Sequence, residues 1–370
     1  MPGSKHNIRK FNRILLITVF LLNIIGLLMI YSATSSVEYS YFYHNSYLRQ
    51  FIWVLIGFIL MYLVSLVNYV VWIELAYKLY FFTLFLLLLL LIVGKSKFGG
   101  IRWFHLGPFS FQPSEFCKIV LILALTRFII DNKGKIELLK GLLKTFLIIA
   151  VPLFLIVIQP DLGTALIFVP IVFFVLLIAG VRVKYLVVSF LSLIAISPIF
   201  WHLLKDYQRK RLMNFINPEL DPLGSGYSII QSKIAIGSGG LFGKGLLKGT
   251  QSQLNFLPEH HTDFIFSVIG EELGLIGILL ILFLYFLFTM EGLKISIFAK
   301  DKTGKVLATG IVFMFVIQIF VNIGMTLGLL PVVGVPLPFL SYGGSSLLFS
   351  MILIGILLNI HYSSVGKFSG

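Results

Sequence analysis

Long apolar runs, interrupted at short intervals by polar, glycine- and proline-bearing segments, set the pattern of this chain. A helix needs about 20 apolar residues to cross a hydrocarbon core. Ten segments meet or approach that length: Ile14–Ile30, Leu48–Val67, Ile73–Val93, Ser114–Ile130, Leu142–Ile158, Leu162–Ala179, Lys184–Leu204, Asp263–Met290, Val306–Leu330 and Leu340–Ile360. Only Gln159-Pro160-Asp161 separates the fifth from the sixth, which predicts a tight helical hairpin. The third is the least regular, because its start carries Glu74 and Lys78. One long polar stretch remains, from Lys205 to Thr262. The pattern predicts an all-α polytopic integral membrane protein: a bundle of about ten transmembrane helices with one large extracellular loop, 205–262, forming a single membrane domain over residues 1–370.

Composition sharpens this reading. Of 370 residues, 58% are hydrophobic and 12% charged, with a mean hydropathy of +1.00; a soluble domain is roughly 25% charged. A soluble globular protein, a disordered chain and a disulfide scaffold are excluded. The single cysteine, Cys117, rules out an internal disulfide and any multi-cysteine metal site. The net charge of +14 reads as a topology signal rather than as nucleic-acid binding, since no soluble basic domain carries it. With the N-terminus inside, the inner segments hold Lys5, Arg9, Lys10, Arg13, Lys78, Lys133, Lys135, Lys140, Lys144, Arg182, Lys184, Lys294, Lys300, Lys302, Lys305 and Lys367, while the short outer loops hold Arg49, Lys95, Lys97 and Arg102. That asymmetry places both termini in the cytoplasm. The first apolar run is too long for a signal peptide, so it reads as an uncleaved anchor.

The large loop is rich in glycine and carries Lys205, Arg209, Lys210, Arg211, Lys233, Lys244 and Lys248. Cations kept on the outer side point to an anionic ligand, or to tolerated surface charge. Gly243-Lys244 invites a phosphate-loop reading that fails, because Ser238 and Gly245 stand where that motif needs glycine and Ser or Thr. Three polar sets open spans at the predicted outer mouth: Gln112-Pro113-Ser114-Glu115 with Lys118, Gln159-Pro160-Asp161, and Leu257-Pro258-Glu259-His260-His261-Thr262-Asp263. Proline in a first turn and acids at the positive end of a helix are also plain capping chemistry. Glu115 and Lys118, three apart, also suit simple mutual neutralisation. Asp263, Ser267, Gly270, Glu271, Gly274 and Gly277 fall on one helical stripe, which predicts a face turned to other helices or to a wet cavity. The His-His pair does not read as a metal site, because adjacent helical positions do not face one ion. The stretch Leu329 to Gly344 is apolar yet full of proline and glycine, which predicts a re-entrant or interfacial segment, or a packed connector.

Gly100-Ile101-Arg102-Trp103, Phe111-Gln112-Pro113-Ser114-Glu115-Phe116, Gln159 to Ala165, Gly226-Tyr227 to Gly240, Phe256 to Gly274 and Gly328 to Gly344 resemble, in order and across nearly the whole chain, the shape, elongation, division and sporulation (SEDS) family of polytopic membrane proteins. Asn217 to Gly224 and Gly249 to Glu259 resemble its elongation branch more than its division branch. The resemblance implies a peptidoglycan glycosyltransferase that polymerises lipid II into β-1,4 glycan at the outer face of the bacterial cytoplasmic membrane, with a class B penicillin-binding transpeptidase as partner. It implies Asp263 as the catalytic carboxylate. The donor sugar is α-linked to undecaprenyl pyrophosphate, so β-linkage requires inversion and a base on the face opposite the leaving group. The leaving pyrophosphate needs positive charge, for which Arg49, Arg102, Lys118, Arg209 and Lys233 are the candidates, with Glu115 and Asp161 orienting them and helix N-termini assisting. A divalent cation, Mg or Mn, is a further candidate for that role. The rival readings are a lipid II flippase, which needs polar groups along the full path, and a non-catalytic scaffold for the transpeptidase.

Overall fold

A computed structural model describes residues 4–35, 46–94, 102–106, 109–132, 139–159, 161–203, 206–217, 221 and 226–365. Gly100, Ile101, Pro160, Lys205 and most of the 217–224 motif therefore lie outside the described residues. The helices are α1 (Ser4–Ser35), α2 (Ser46–Leu66), α3 (Tyr69–Val93), α4 (Pro113–Asp131), α5 (Leu139–Ile158), α6 (Leu162–Ala179), α7 (Val183–Leu203), α8 (Asp206–Ile216), α9 (Tyr227–Ser238), α10 (Thr250–Gln253), α11 (Ile265–Ile297), α12 (Lys302–Thr326) and α13 (Gly344–Val365). A short antiparallel hairpin, β1 (Phe104–Leu106) with β2 (Phe109–Phe111), precedes α4.

Each expected span overlaps a helix. Among the described residues, seven are long and apolar enough to cross a membrane: Arg13–Ser35 of α1, α2, α3, Gly141–Ile158 of α5, α11, α12 and Gly344–Ser364 of α13. The apolar stretch Gly163–Ala179 of α6 is shorter, and α4 carries Glu115, Lys118 and Arg127 among its apolar residues. The chain is a multi-pass membrane protein. Phe81, Phe85, Ile92, Leu147, Phe154 and Phe283 are exposed, as suits side chains facing lipid. The ninth and tenth expected segments are trimmed at their facing ends: α12 stops at Thr326 and α13 starts at Gly344.

Breaks in helical hydrogen bonding are filled from neighbouring elements, as an apolar surround demands. Pro152 deprives Ile148 O of its helical donor, and the Tyr80 hydroxyl donates to that oxygen at 2.9 Å. The Asn359 side chain on α13 clasps the α2–α3 turn, accepting from Tyr69 N and donating to Ser65 O, both at 2.8 Å.

The segment between α12 and α13 dips deep into the bundle. Phe339, at φ 65°, packs against Phe288 and Phe315 with ring centroids 5.7 and 5.5 Å away. The Tyr285 hydroxyl donates to Pro338 O at 2.6 Å. A side chain on Gly26 would collide with Phe339 O. The segment therefore packs into the bundle, with Val335 and Leu337 to Ser341 buried.

Helix α11 is broken at Gly274, whose φ 66° and ψ −161° are not helical. The glycine loop 239–245 closes the break. Lys244 N and Gly245 N donate to the carbonyls of Glu271 and Glu272, while Leu275 N and Ile276 N donate to those of Gly240 and Leu241. A Cβ on Gly239 or Gly243 would overlap the carbonyl oxygens of Gly270 and Glu272. The glycines that mimic a phosphate loop are therefore there for close backbone approach. The expected stripe from Asp263 to Gly277 is accordingly not one helical face: Asp263 precedes α11 and Gly274 interrupts it. Ser267, Gly270, Glu271 and Gly274 pack on α9 and the glycine loop, with the Ser267 and Ser232 hydroxyls 2.6 Å apart.

Candidate active site

Asp263 sits, half-buried, in the turn that leads into α11. The turn is tight: the N–H groups of Thr262, Asp263 and Phe264 all converge on Glu259 O, at 3.1, 3.0 and 3.3 Å. Glu259 adopts φ 48° to make this possible. Buried His260 fixes the turn to α1, with Nδ1 2.8 Å from Leu257 O and Nε2 2.8 Å from Ala33 O.

Three successive carbonyls of this turn are held by donors from elsewhere. His261 O accepts from Tyr342 N at 3.0 Å. Thr262 O accepts from the Ser341 hydroxyl at 2.6 Å. Asp263 O accepts from Asn322 Nδ2 at 2.9 Å, and the same amide donates to Val335 O at 2.7 Å. Asn322 is fully buried. Gln50 of α2 clasps the same loop, donating to Ser341 O at 3.4 Å and accepting from Gly343 N at 3.2 Å. The main chain of the turn is thereby immobilised while the Asp263 carboxylate projects beside Gly334, where an added Cβ would stand 3.3 Å from Oδ2. Gly334 has φ 71°, so glycine there meets a conformational need as well as a spatial one. Burial, and then the neighbouring His260, lower the pKa of His261 to about 4, so its imidazole is neutral at pH 7.

The second half of the site comes from α4 and α6. Pro113 opens α4 and places Glu115 in its first turn. Glu115 and Lys118 are both buried and pair at 2.6 Å. Asp161 caps α6, accepting from the Thr164 hydroxyl at 2.8 Å and from Thr164 N at 3.4 Å. It also accepts from the Ser114 hydroxyl at 3.3 Å, which ties α6 to α4. Arg102 Nη1 lies 3.8 Å from Asp161 Oδ1. The capping and neutralising readings of these acids are thus both realised, and they hold two cations in place.

One dipeptide joins the halves. Gly163, in the first turn of α6, abuts Val333 O so closely that a Cβ there would overlap it, and the next residue, Gly334, faces Asp263. Gly163, two residues beyond Asp161, and Asp263 thus both lie against Val333-Gly334. Arg49 is half-buried on α2, next to Gln50 in sequence. Arg209 of α8 donates to His202 O at 2.9 Å. The exposed Lys233 of α9 lies against Gly328, beyond the end of α12. Among the described residues, no three of His, Cys, Asp and Glu come together as a metal site. Gln50 and Asn322 are not singled out in the sequence, and Gly334 and Ser341 stand there only as members of the Leu329–Gly344 stretch. The signal is available for Asn322, an amide one turn after Gln318 in an otherwise apolar part of α12.

Comparison with known proteins extends these observations. Residues 12–365 match the profile of a family described as "Cell cycle protein", named for FtsW, RodA and SpoVE. The chain is 49% identical over 284 residues to peptidoglycan glycosyltransferase MrdB of Escherichia coli K12, covering 75% of this chain and 76% of that one. It superposes with a TM-score of 0.81 and 32% identity on a chain from work on the structural coordination of polymerization and crosslinking by a peptidoglycan synthase complex, covering 95% and 97%. The rod shape determining protein RodA of Thermus thermophilus gives a TM-score of 0.70 at 29% identity, covering 94% and 96%.

Proposed function

The chain belongs to the FtsW, RodA and SpoVE family of cell cycle proteins, and from that premise we propose that it is a peptidoglycan glycosyltransferase of bacterial cell elongation. It polymerises lipid II at the outer face of the cytoplasmic membrane, with both termini inside. The observation that carries this reading is the locked turn that presents the Asp263 carboxylate beside Val333-Gly334, against which Gly163, two residues beyond Asp161, also lies.

The chemistry follows from that arrangement. Asp263 accepts the proton of the acceptor sugar's 4-hydroxyl as its oxygen attacks the anomeric carbon of the donor. The bond to undecaprenyl pyrophosphate breaks on the opposite face, and the leaving oxygen takes the electron pair. Pyrophosphate needs no proton donor at pH 7, only positive charge. Arg102 and Lys118, held by Asp161 and Glu115, supply it together with the N-termini of α4 and α6; Arg49, Arg209 and Lys233 assist from α2, α8 and α9. Among the described residues Lys118 and Arg102 engage Glu115 and Asp161; a divalent cation, Mg or Mn, held between the pyrophosphate and a carboxylate is the alternative source of positive charge, and loss of polymerisation on chelation identifies it. The polyprenyl tails stay in lipid while the sugars meet at the mouth. The likeness to a chain of a peptidoglycan synthase complex supports a class B penicillin-binding transpeptidase as partner.

The test is polymerisation of purified lipid II by the protein with its transpeptidase, comparing Asp263 with Asp263→Asn. The expected result is glycan chains from the first and a loss of about 100-fold or more in the second, with folding and partner binding retained. Near-normal output from Asp263→Asn removes the base. No chains from either protein, with lipid II flipped in vesicles, favours the flippase; neither activity leaves the scaffold.

A further inference from the structure

We propose that the loop from Gly239 to Lys248 is a bilayer-inserting foot, with Leu241, Phe242, Leu246 and Leu247 seated in the hydrocarbon edge of the leaflet on the Asp263 side. Twenty helical residues span about 30 Å, the thickness of the hydrocarbon core. Basic residues at the opposite end of the bundle mark where that core starts. Counted from Arg13, the core of α1 ends near Ser32; from Lys294, that of α11 ends near Leu275; from Lys305, that of α12 ends near Met325. Ser32 is tied to α11 just beyond Leu275, since its hydroxyl donates to the Glu272 carboxylate at 2.6 Å. The break at Gly274 therefore lies at the edge of the hydrocarbon.

The loop cannot leave that height. Four backbone hydrogen bonds fasten it to the broken ends of α11: Leu275 N to Gly240 O at 2.9 Å, Ile276 N to Leu241 O at 3.2 Å, and Lys244 N and Gly245 N to Glu271 O and Glu272 O at 3.0 Å. Ser32 adds a fifth tie, accepting from Leu247 N at 3.1 Å. At that level the loop turns apolar side chains outward. Phe242 is 79% exposed and Leu241 61%, with Leu246 and Leu247 close to half exposed. They continue the exposed apolar belt of Leu275, Ile276 and Leu279 on α11. The polar groups go the other way. Lys244 folds back to Glu271 and Thr250, both at 2.8 Å, and Lys248 stands exposed at the base of the loop, where headgroups lie. An apolar tip, polar groups withdrawn, and a height fixed at the hydrocarbon edge fit a lipid surface. This inference goes beyond the proposed activity and is independent of it.

The experiment places a nitroxide at Phe242→Cys, and separately at Leu241→Cys, with the buried Cys117 replaced by alanine. The full chain is held in nanodiscs of phosphatidylethanolamine and phosphatidylglycerol. Accessibility to oxygen is compared with accessibility to a water-soluble nickel chelate, with labels at Leu279 and Lys248 as the lipid and surface references. The expected result is an oxygen-to-nickel ratio at 242 and 241 severalfold above that at 248 and approaching that at 279. Ratios at both sites equal to that at 248 overturn the proposal. So does a label that is nickel-accessible in the chain alone and shielded only when the transpeptidase is added, which makes this face a protein dock instead. Both side chains are exposed, so neither substitution disturbs the core.

Discussion

At the residue scale, the site depends on side chains that touch no substrate. Asn322 spends both amide protons on carbonyls, one in the turn of Asp263 and one in the proline-rich segment. Asn322→Leu leaves two buried carbonyls without donors, at about 1–3 kcal/mol each, and frees the turn. The expected outcome is a polymerisation rate reduced at least tenfold at saturating lipid II, with a smaller change in KM and a lower melting midpoint in detergent. An unchanged rate shows that the turn holds itself. His261 gives a pH prediction with a definite sign. Its folded pKa, about 4, lies below the unfolded value of 6.5, so between those values the unfolded chain binds a proton that the folded chain refuses. Its contribution to stability is complete above about pH 6.5 and is lost as the pH falls towards 4. Melting midpoints measured across that window should decline in the native chain and decline less in His261→Gln.

At the element scale, glycines that look alike in sequence differ sharply in duty. Gly243 has φ +77° and abuts Glu272 O, so Gly243→Ala should cost several kcal/mol, on the order of 3, and detach the loop from the broken α11. Gly237, near the end of α9, has an ordinary φ and nothing within 4 Å of an added Cβ. Gly237→Ala should be neutral or stabilising by about 0.5–1 kcal/mol. Melting midpoints of the two variants decide this, and equal losses would refute the assignment of the loop as a backbone splint. The break itself was not legible. Gly274 sits in a predicted span that reads as continuous helix, and only the arrival of Gly240 and Leu241 to satisfy Leu275 and Ile276 makes a non-helical residue tolerable there.

At the scale of the whole molecule, the end that carries Asp263 is supported from within the bundle. Phe339 packs against Phe288 and Phe315 while the same segment carries Gly334 past Asp263. Phe339→Ala should cost about 3–5 kcal/mol and lower polymerisation although its ring packs on Phe288 and Phe315. Destabilisation with full activity per folded molecule would show that the depth of the segment and the geometry of the site are independent.

The sequence alone determined the membrane-spanning pattern, because crossing a bilayer demands unbroken apolar length that no neighbour can supply. It also determined where the acids fall, since Glu115 and Asp161 open helices that need negative charge at their starts, and it carried the family resemblance in ordered motifs. The tertiary structure alone decided what holds Asp263. The donors to its turn come from Asn322, Ser341 and Tyr342, dozens of residues away, and a hydrogen bond between distant residues leaves no periodicity to read. It also decided that the glycine loop splints α11 and that the proline-rich segment packs into the bundle. Those outcomes rest on which buried backbone groups find partners, and in an apolar surround each group must find one somewhere in the folded chain.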